Sequence, residues 1–484
     1  MWLQIVIIIA YFLLSLLIGF RTAKGSNTKN FHGAQLGVVA IVCASAGEWL
    51  GGTATTGVSE YGFNYGISGA WYTIANGLGV MFLALFFAKL YRNIGKMTIP
   101  GIIETVFGKS AQTVSSILLV LVMLAVGISQ IIAAGKFGQA LLGLDFRLSA
   151  VVFTLIFVIY TLVGGMRAVS KTNTMHLFVM YIGIIAAVVI LIARLGGWTG
   201  FTADVADMES KTGGHYFSMT TIGFPKVSSW VIASLLGACT AQAGIQPVLA
   251  SKDVPTARKA CVYTALVTAP FGLLTALIGI IGKVMSTKGT LLDLSGQVVT
   301  DGKLALTSVM LGLPPIVGGL VLAAELAAIL STASPIILAA GTMLTKDLYQ
   351  ARIRPAAPEK EVMAVSRVTT AVSGVICCLG AIYLVNQHNV LDIVYSAYSL
   401  RGALFIVIIF GFFSKKATST GACISMLLTG AAAVGWTVFK VVTGSYPIAS
   451  WLTETYAAVL VATVSMTVCT LISTINKEKT EARL

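Results

Sequence analysis

Apolar residues run along this chain in long blocks, interrupted by short polar stretches. About 20 consecutive apolar residues suffice for a helix to cross the hydrocarbon core of a bilayer. Thirteen such blocks are present, at roughly 3–20, 36–57, 66–90, 112–134, 148–165, 174–195, 227–250, 257–284, 316–345, 362–386, 390–413, 419–441 and 451–474. The blocks do not alternate in the period-two fashion of an outer-membrane barrel. The pattern predicts an all-α polytopic membrane protein with 13 transmembrane helices. The first block lacks a basic leader and a small-residue cleavage site, and its positive charges (Arg21, Lys24, Lys29) follow it. It reads as a retained helix whose N-terminus lies outside.

Composition agrees. The 484 residues are 57% hydrophobic and only 10% charged, with a mean hydropathy of +0.90. A soluble domain carries about 25% charged residues, which excludes a cytosolic enzyme. The net charge is +14, and its placement is informative. With the N-terminus outside, 22 of the 32 lysines and arginines fall on inside segments, nine fall outside, and Arg401 lies within a span. That bias follows the positive-inside rule and places the C-terminus inside. Of the two long outside loops, about 196–226 and 284–315, the first carries Asp204, Asp207 and Glu209, read as a solvated face on surface caps or short helices. The seven cysteines all lie in apolar segments and read as buried thiols, and the four histidines are scattered, so no metal cluster is expected. No nucleic-acid partner is implied.

Two segments invite broken helices. ASAGEWLGGTATTG (44–57) and LGACTAQAGIQP (236–247) bring glycines and Pro247 into the second and seventh blocks. Irregular backbone at membrane depth is tolerated where protein or a water-filled cavity covers it. Blocks two to six and seven to eleven then form two five-helix halves. Five is odd, so the halves have opposite topology, the inverted-repeat plan of secondary transporters. The alternative is that the glycines merely allow close packing. The resulting organisation is an extra helix (1–30), a first repeat (31–200), a second, inverted repeat (201–415), and two C-terminal helices with a short tail (416–484). In ILSTASPIIL (329–338), Pro335 removes the amide that would bond the carbonyl of Ser331. Freed carbonyls beside Ser331, Thr332 and Ser334 suit a small alkali cation, but back-bonding of the hydroxyls to the preceding turn accounts for them equally well.

These residues resemble the sodium:solute symporters. The similarity covers nearly the whole chain. It rests on GGMRAV (164–169), GIQPVLASKDVPTARKA (244–260), AAILSTAS (327–334) followed by TKDLY (345–349), and LFIVIIFGFFSKKATSTGA (404–422). The resemblance implies an inverted five-helix repeat of the leucine-transporter type with flanking helices. It also implies a Na+ site formed by the backbone of Gly47 and Leu50, the carbonyl of Ala328, and the hydroxyls of Ser331 and Thr332. A second ion site, present in some members, would use Ser334 and an aspartate whose position here reads Asn173, so one sodium per cycle is the preferred reading. Pro247 replaces a usual arginine, and small residues at Gly237 and Ala238 replace the aromatic gate of sugar carriers.

Ionisable groups inside spans are functional candidates. Glu48 sits at the first break, where it could instead be a hydrogen-bonding brace. Glu325 shares the face of Ala328 and Thr332, where it could draw cations, exchange a proton or simply accept hydrogen bonds. Arg401 cannot deprotonate and needs an anionic partner: Glu48, Glu325 or a substrate carboxylate. Candidate substrate-lining residues are Trp49, Thr53, Ala54, Tyr72, Thr73, Gln130 and Gln242. The expected activity is sodium-coupled import of a small organic solute, with a carboxylate-bearing one (monocarboxylate, amino acid or vitamin) favoured. The alternatives are a proton-coupled carrier using Glu325, or a sugar or polyol carrier. No enzymatic motif is present. The expected setting is a bacterial inner membrane, with the monomer as the functional unit.

Overall fold

The computed structural model describes residues 2–23, 37–96 and 98–481; the side chains of 16, 19–23, 163–171, 441 and 476–481 are outside the description. The charges expected at Lys24, Lys29 and Arg483 and the side chains of GGMRAV therefore lie outside the described residues. The described chain is helical, and its one β-bridge is the isolated pair Leu292–Val298.

The helices are α1 (Trp2–Ala23), α2 (Val38–Trp49), α3 (Val58–Tyr65), α4 (Trp71–Phe82), α5 (Ala88–Ile94), α6 (Ile99–Phe107), α7 (Lys109–Leu142), α8 (Phe146–Arg194) and α9 (Gly197–Thr212). They continue as α10 (Phe224–Gly237), α11 (Gln242–Leu249), α12 (Val254–Thr287), α13 (Gly302–Leu311), α14 (Pro315–Met343), α15 (Glu359–Leu384), α16 (Val390–Phe413), α17 (Ser419–Thr443) and α18 (Glu454–Glu481). Short π-helical segments at Thr53–Gly57, Leu83–Phe87 and Leu344–Ile353 link or extend them.

Among the described residues, nine helices are long and apolar enough to cross a membrane, and ten if the bent pair α10–α11 is one span. The first, second and fifth expected blocks contain shorter apolar helices, Trp2–Ser15, Val38–Trp49 and Phe146–Leu162. The second is short because α2 stops at the glycine break. The fifth and sixth blocks both fall in α8, which is 49 residues long.

Both expected breaks are present. α2 ends at Trp49, and Leu50–Gly52 lead into the π-helical Thr53–Gly57. α10 gives way to a 3-10 turn at Ala238–Thr240, and α11 leaves it bent by 44°. The two breaks touch, because the Ser45 hydroxyl donates to the Gly244 carbonyl at 2.9 Å. α14 is the most enclosed long helix and packs on α7 and α8. α1 joins the core through Tyr11, whose hydroxyl meets His176 Nδ1 at 2.8 Å.

The long loops depart from the expectation in one respect. α9 is a surface helix, with Asp207 paired to Lys211 and Asp204 to Lys288. α13, however, is mostly buried and reaches into the interior. The cysteines are all free, five of them buried, while Cys423 and Cys469 are only half-buried.

α3 and α12 meet backbone to backbone. A Cβ at Gly279 would overlap the Ser59 carbonyl, and one at Gly62 would overlap the Ala276 carbonyl. Close approach of this kind stabilises membrane helix pairs through dispersion contacts. Gly279→Ala is expected to destabilise the fold by about 1–3 kcal/mol. Gly435→Ala, where nothing lies within 4 Å, is expected to be neutral. Thermal melts in detergent would show whether the two differ.

Candidate functional site

The site grows from the α2 break. A helix that stops leaves carbonyls without intrahelical donors. The Gly47 carbonyl is taken by the Thr332 hydroxyl across from α14. A Cβ at Gly51 would overlap that same hydroxyl, so α14 presses directly on the glycines. On α14 itself, Ser331 Oγ donates to the Ala328 carbonyl at 2.9 Å. The back-bonding reading thus holds for Ser331, while Thr332 reaches across to α2. Four of the five expected sodium ligands are tied in these two contacts, and Leu50 lies fully buried at the break between them.

The expected second-site residues, Asn173 and Ser334, are both buried. Asn173 on α8 abuts Gly47 so closely that a Cβ there would overlap its amide. Both its amide oxygen and nitrogen are buried without a hydrogen bond. Ser334 is buried with its hydroxyl equally without one.

Gln130 on α7 braces the other side of the break. Its Oε1 accepts from Gly52 N at 2.8 Å, and its Nε2 donates to Thr53 Oγ1 at 2.7 Å. Thr53 in turn meets Ser129 Oγ at 3.2 Å. Thr73 donates to the Ala269 carbonyl and accepts from Gly272 N, which ties α4 to α12. Gln242 accepts from Ile99 N at 2.8 Å and holds the start of α6 against the second break. The Ala54 carbonyl accepts from Thr275 Oγ1. These five candidates are engaged in holding the helices together.

A small cavity, with room for about one water molecule, lies between the two breaks, with Ser45, Trp49, Ala238, Gly244, Ile245 and Cys261 among its walls. Of the expected substrate residues only Trp49 lines it. Tyr72 belongs to an aromatic column that begins beside the cavity. Arg401 packs over Tyr398 (4.4 Å) and Trp49 (5.3 Å); Tyr398 leads to Tyr395, and Tyr395 stacks on Trp230 at 4.2 Å. Tyr72 Oη meets Tyr398 Oη at 3.3 Å. The sequence reading missed Tyr395 and Tyr398. Their spacing in YSAYSLRG, three apart and three before Arg401, puts all three on neighbouring turns of one face of α16.

At the far end of the column, Lys226 pairs with Asp392 at 2.8 Å and donates to Tyr61, which donates to the same carboxylate. Nearby, Lys303 pairs with Glu60 at 3.3 Å and Lys136 with Asp301 at 2.7 Å. Burial opposes ionisation of Asp301. Lys136, the Lys303 amide and the Lys303 charge outweigh it and hold the carboxyl below its usual range.

The three intramembrane charges resolve differently. Arg401 and Glu48 pair with each other, Nη2 to Oε1 at 3.6 Å, both nearly inaccessible. Glu325 has no cation partner among the described residues and accepts instead from Thr56 (3.2 Å) and Thr307 (3.0 Å). Thr307 sits on α13, so the buried loop helix supplies a partner that the sequence reading did not foresee.

The chain matches the model of the sodium:solute symporter family over residues 31–430. It is 24% identical to the high-affinity proline transporter PutP of Bacillus subtilis, over 87% of this chain and 89% of that one. It is 25% identical to the sodium/glucose cotransporter of Vibrio parahaemolyticus, over 77% and 72%. Among solved structures it superposes on a Na+-coupled sialic acid symporter in a substrate-bound outward-open state, with a TM-score of 0.76 at 18% identity, covering 97% of this chain and 98% of that one. The inward-facing transporter Mhp1 superposes with a TM-score of 0.54, covering 91% and 93%.

Replacing Gln130 with leucine is expected to leave Gly52 N buried and unbonded, at a cost of roughly 1–3 kcal/mol. A lowered melting temperature in detergent is the readout; an unchanged one would mean that the brace is not made.

Proposed function

The chain belongs to the sodium:solute symporter family, and on that premise we propose that it imports a small, carboxylate-bearing organic solute together with sodium by alternating access. The observation that carries this reading is the contact of the broken α2 with Thr332 across the bundle, beside Ser331 and Ala328. Unwound carbonyls facing hydroxyls are how discontinuous transporter helices hold Na+. Gly47, Leu50, Ala328, Ser331 and Thr332 are the proposed ligands. Asn173 and Ser334 offer neutral oxygens to a second ion, but Asn173 brings no charge, and one sodium per cycle is the proposal.

The architecture proposed with it has 13 spans, the N-terminus outside and the C-terminus inside. Residues 31–200 and 201–415 form the inverted halves, between the extra helix 1–30 and the C-terminal pair 416–484. The functional unit is a monomer in a bacterial inner membrane. In this orientation Ser45, Gly244 and Ile245 lie on the cytoplasmic half of the site. The aromatic column and the Lys226–Asp392 pair then close the outer side, and the cavity lies toward the cytoplasm. Sodium drives the cycle to the extent that it binds the outward-open state more tightly than the inward one.

A second reading has one observation in its favour. Glu325 is a buried carboxylate held by two hydroxyls and no described cation, on the ion-site face of α14. It would serve a proton-coupled carrier.

Uptake into proteoliposomes separates the two. Ser331→Ala or Thr332→Ala is expected to raise the sodium concentration for half-maximal uptake about tenfold, the equivalent of roughly 1.4 kcal/mol. Unchanged sodium dependence in both variants would sink the assignment. Uptake that follows a pH gradient without sodium, and is lost in Glu325→Gln, would favour the proton reading.

A further inference from the structure

The pairing of Glu48 with Arg401 leaves most of their hydrogen-bonding capacity unused. A guanidinium offers five N–H donors and a carboxylate about four acceptor sites. Here Nε, Nη1 and Nη2 of Arg401 are all buried without a hydrogen bond, and so is Oε2 of Glu48. The 3.6 Å approach of Nη2 to Oε1 is longer than the 2.7–2.9 Å typical of a charge-assisted bond. An ion pair retained for stability would be expected to satisfy these groups, because desolvating two charges is costly unless their remaining donors and acceptors are met. Replacing such a pair with apolar residues is often neutral or stabilising.

The pair lies at the second break. Glu48 Oε2 packs directly against Gly244, where a Cβ would overlap it. Gly244 and Trp49 are also walls of the cavity, so both Glu48 and Arg401 stand directly behind its lining. Trp49 and Tyr398 flank the guanidinium with their rings, which holds its plane while leaving its edge N–H groups unbonded. The Arg401 carbonyl accepts from Thr240 Oγ1 at 2.7 Å, which fixes α16 to the second break.

We propose that Glu48 and Arg401 form a two-signed recognition site, and that the transported solute is a zwitterion of the amino-acid type. Its carboxylate takes the unbonded guanidinium donors of Arg401, and its ammonium donates to Glu48 Oε2. Its side chain extends past Trp49 toward the small cavity, which widens to admit it. A simple carboxylate would satisfy Arg401 but strand Glu48 beside it. A simple amine would do the reverse. A sugar could meet neither charge in full. The inference rests on the symport reading above and narrows its solute class.

The test uses the purified full chain in sodium and in choline buffer. The probes are the L-amino acids, each accompanied by the matched acid lacking the amine and the matched amine lacking the carboxylate. Thermal stabilisation titrated with each probe gives the affinities. At least one amino acid is expected to bind about tenfold or more tightly than both its matched acid and its matched amine, since a site built for a polar group rejects the analogue that lacks it. Glu48→Gln is expected to erase the preference over the acid, and Arg401→Gln the preference over the amine. Each variant should keep the stabilisation by sodium alone, which reports that it is folded.

No amino acid binding, or an acid binding as tightly as its amino acid, would overturn the proposal. So would folded variants with unchanged selectivity, which would make the pair a structural brace. Sodium-dependent binding of an acid or a sugar in place of an amino acid would overturn it while leaving sodium symport standing. Ligand binding of equal strength in both buffers would instead count against the symport reading itself.

Discussion

Inside a bilayer no water is available to a freed peptide group, and each one must be bonded within the protein. The two helix breaks make that constraint acute. The structure meets it with side chains carried by other helices. Gln130 bonds Gly52 N, Thr332 takes the Gly47 carbonyl, Ser45 takes the Gly244 carbonyl, and Tyr91 donates to the Cys239 carbonyl at 2.8 Å. Removing any of these exposes a polar backbone atom to a dry interior. The geometry of the proposed ion site is thus a by-product of backbone repair: the groups that mend the break are oxygens.

The same constraint sorts the charges. Six of the lysines and carboxylates, with Tyr61, form pairs at one end of the aromatic column, where Glu60, Lys136 and Lys303 are buried and Asp301, Lys226 and Asp392 remain partly accessible. Arg401 and Glu48 sit at the other end, almost fully enclosed. Between them Trp230, Tyr395, Tyr398 and Tyr72 fill the space with rings whose hydroxyls bond one another or Ser234. Such a column is rigid, amphipathic and closed to water. In the proposed orientation it stands on the outer side of the cavity between the breaks.

Much of this was legible in order along the chain. The apolar blocks are long enough that periodicity hardly matters, and glycine clusters within them mark where helices can stop. Ala328, Ser331 and Thr332 fall on one helix face by spacing alone. The substrate wall was less legible. Thr73, Gln130 and Gln242 are polar residues in apolar helices, and that signal is the same whether the side chain meets a solute or a neighbouring peptide group. Three-dimensional placement assigns all three to peptide groups. Tyr395 and Tyr398 were passed over because aromatic residues in membrane helices usually pack.

The sequence by itself determined the class of the molecule and the positions at which its helices break, because hydropathy and glycine or proline content act locally. Only the tertiary structure decided which partners meet. That Arg401 faces Glu48, that Glu325 is held by Thr307 from a loop helix, and that Thr332 reaches Gly47 are contacts between positions far apart along the chain, 285 apart for Thr332 and Gly47 and more for Arg401 and Glu48. No local signal encodes them. They follow from how the helices pack, and packing is a property of all the surfaces at once.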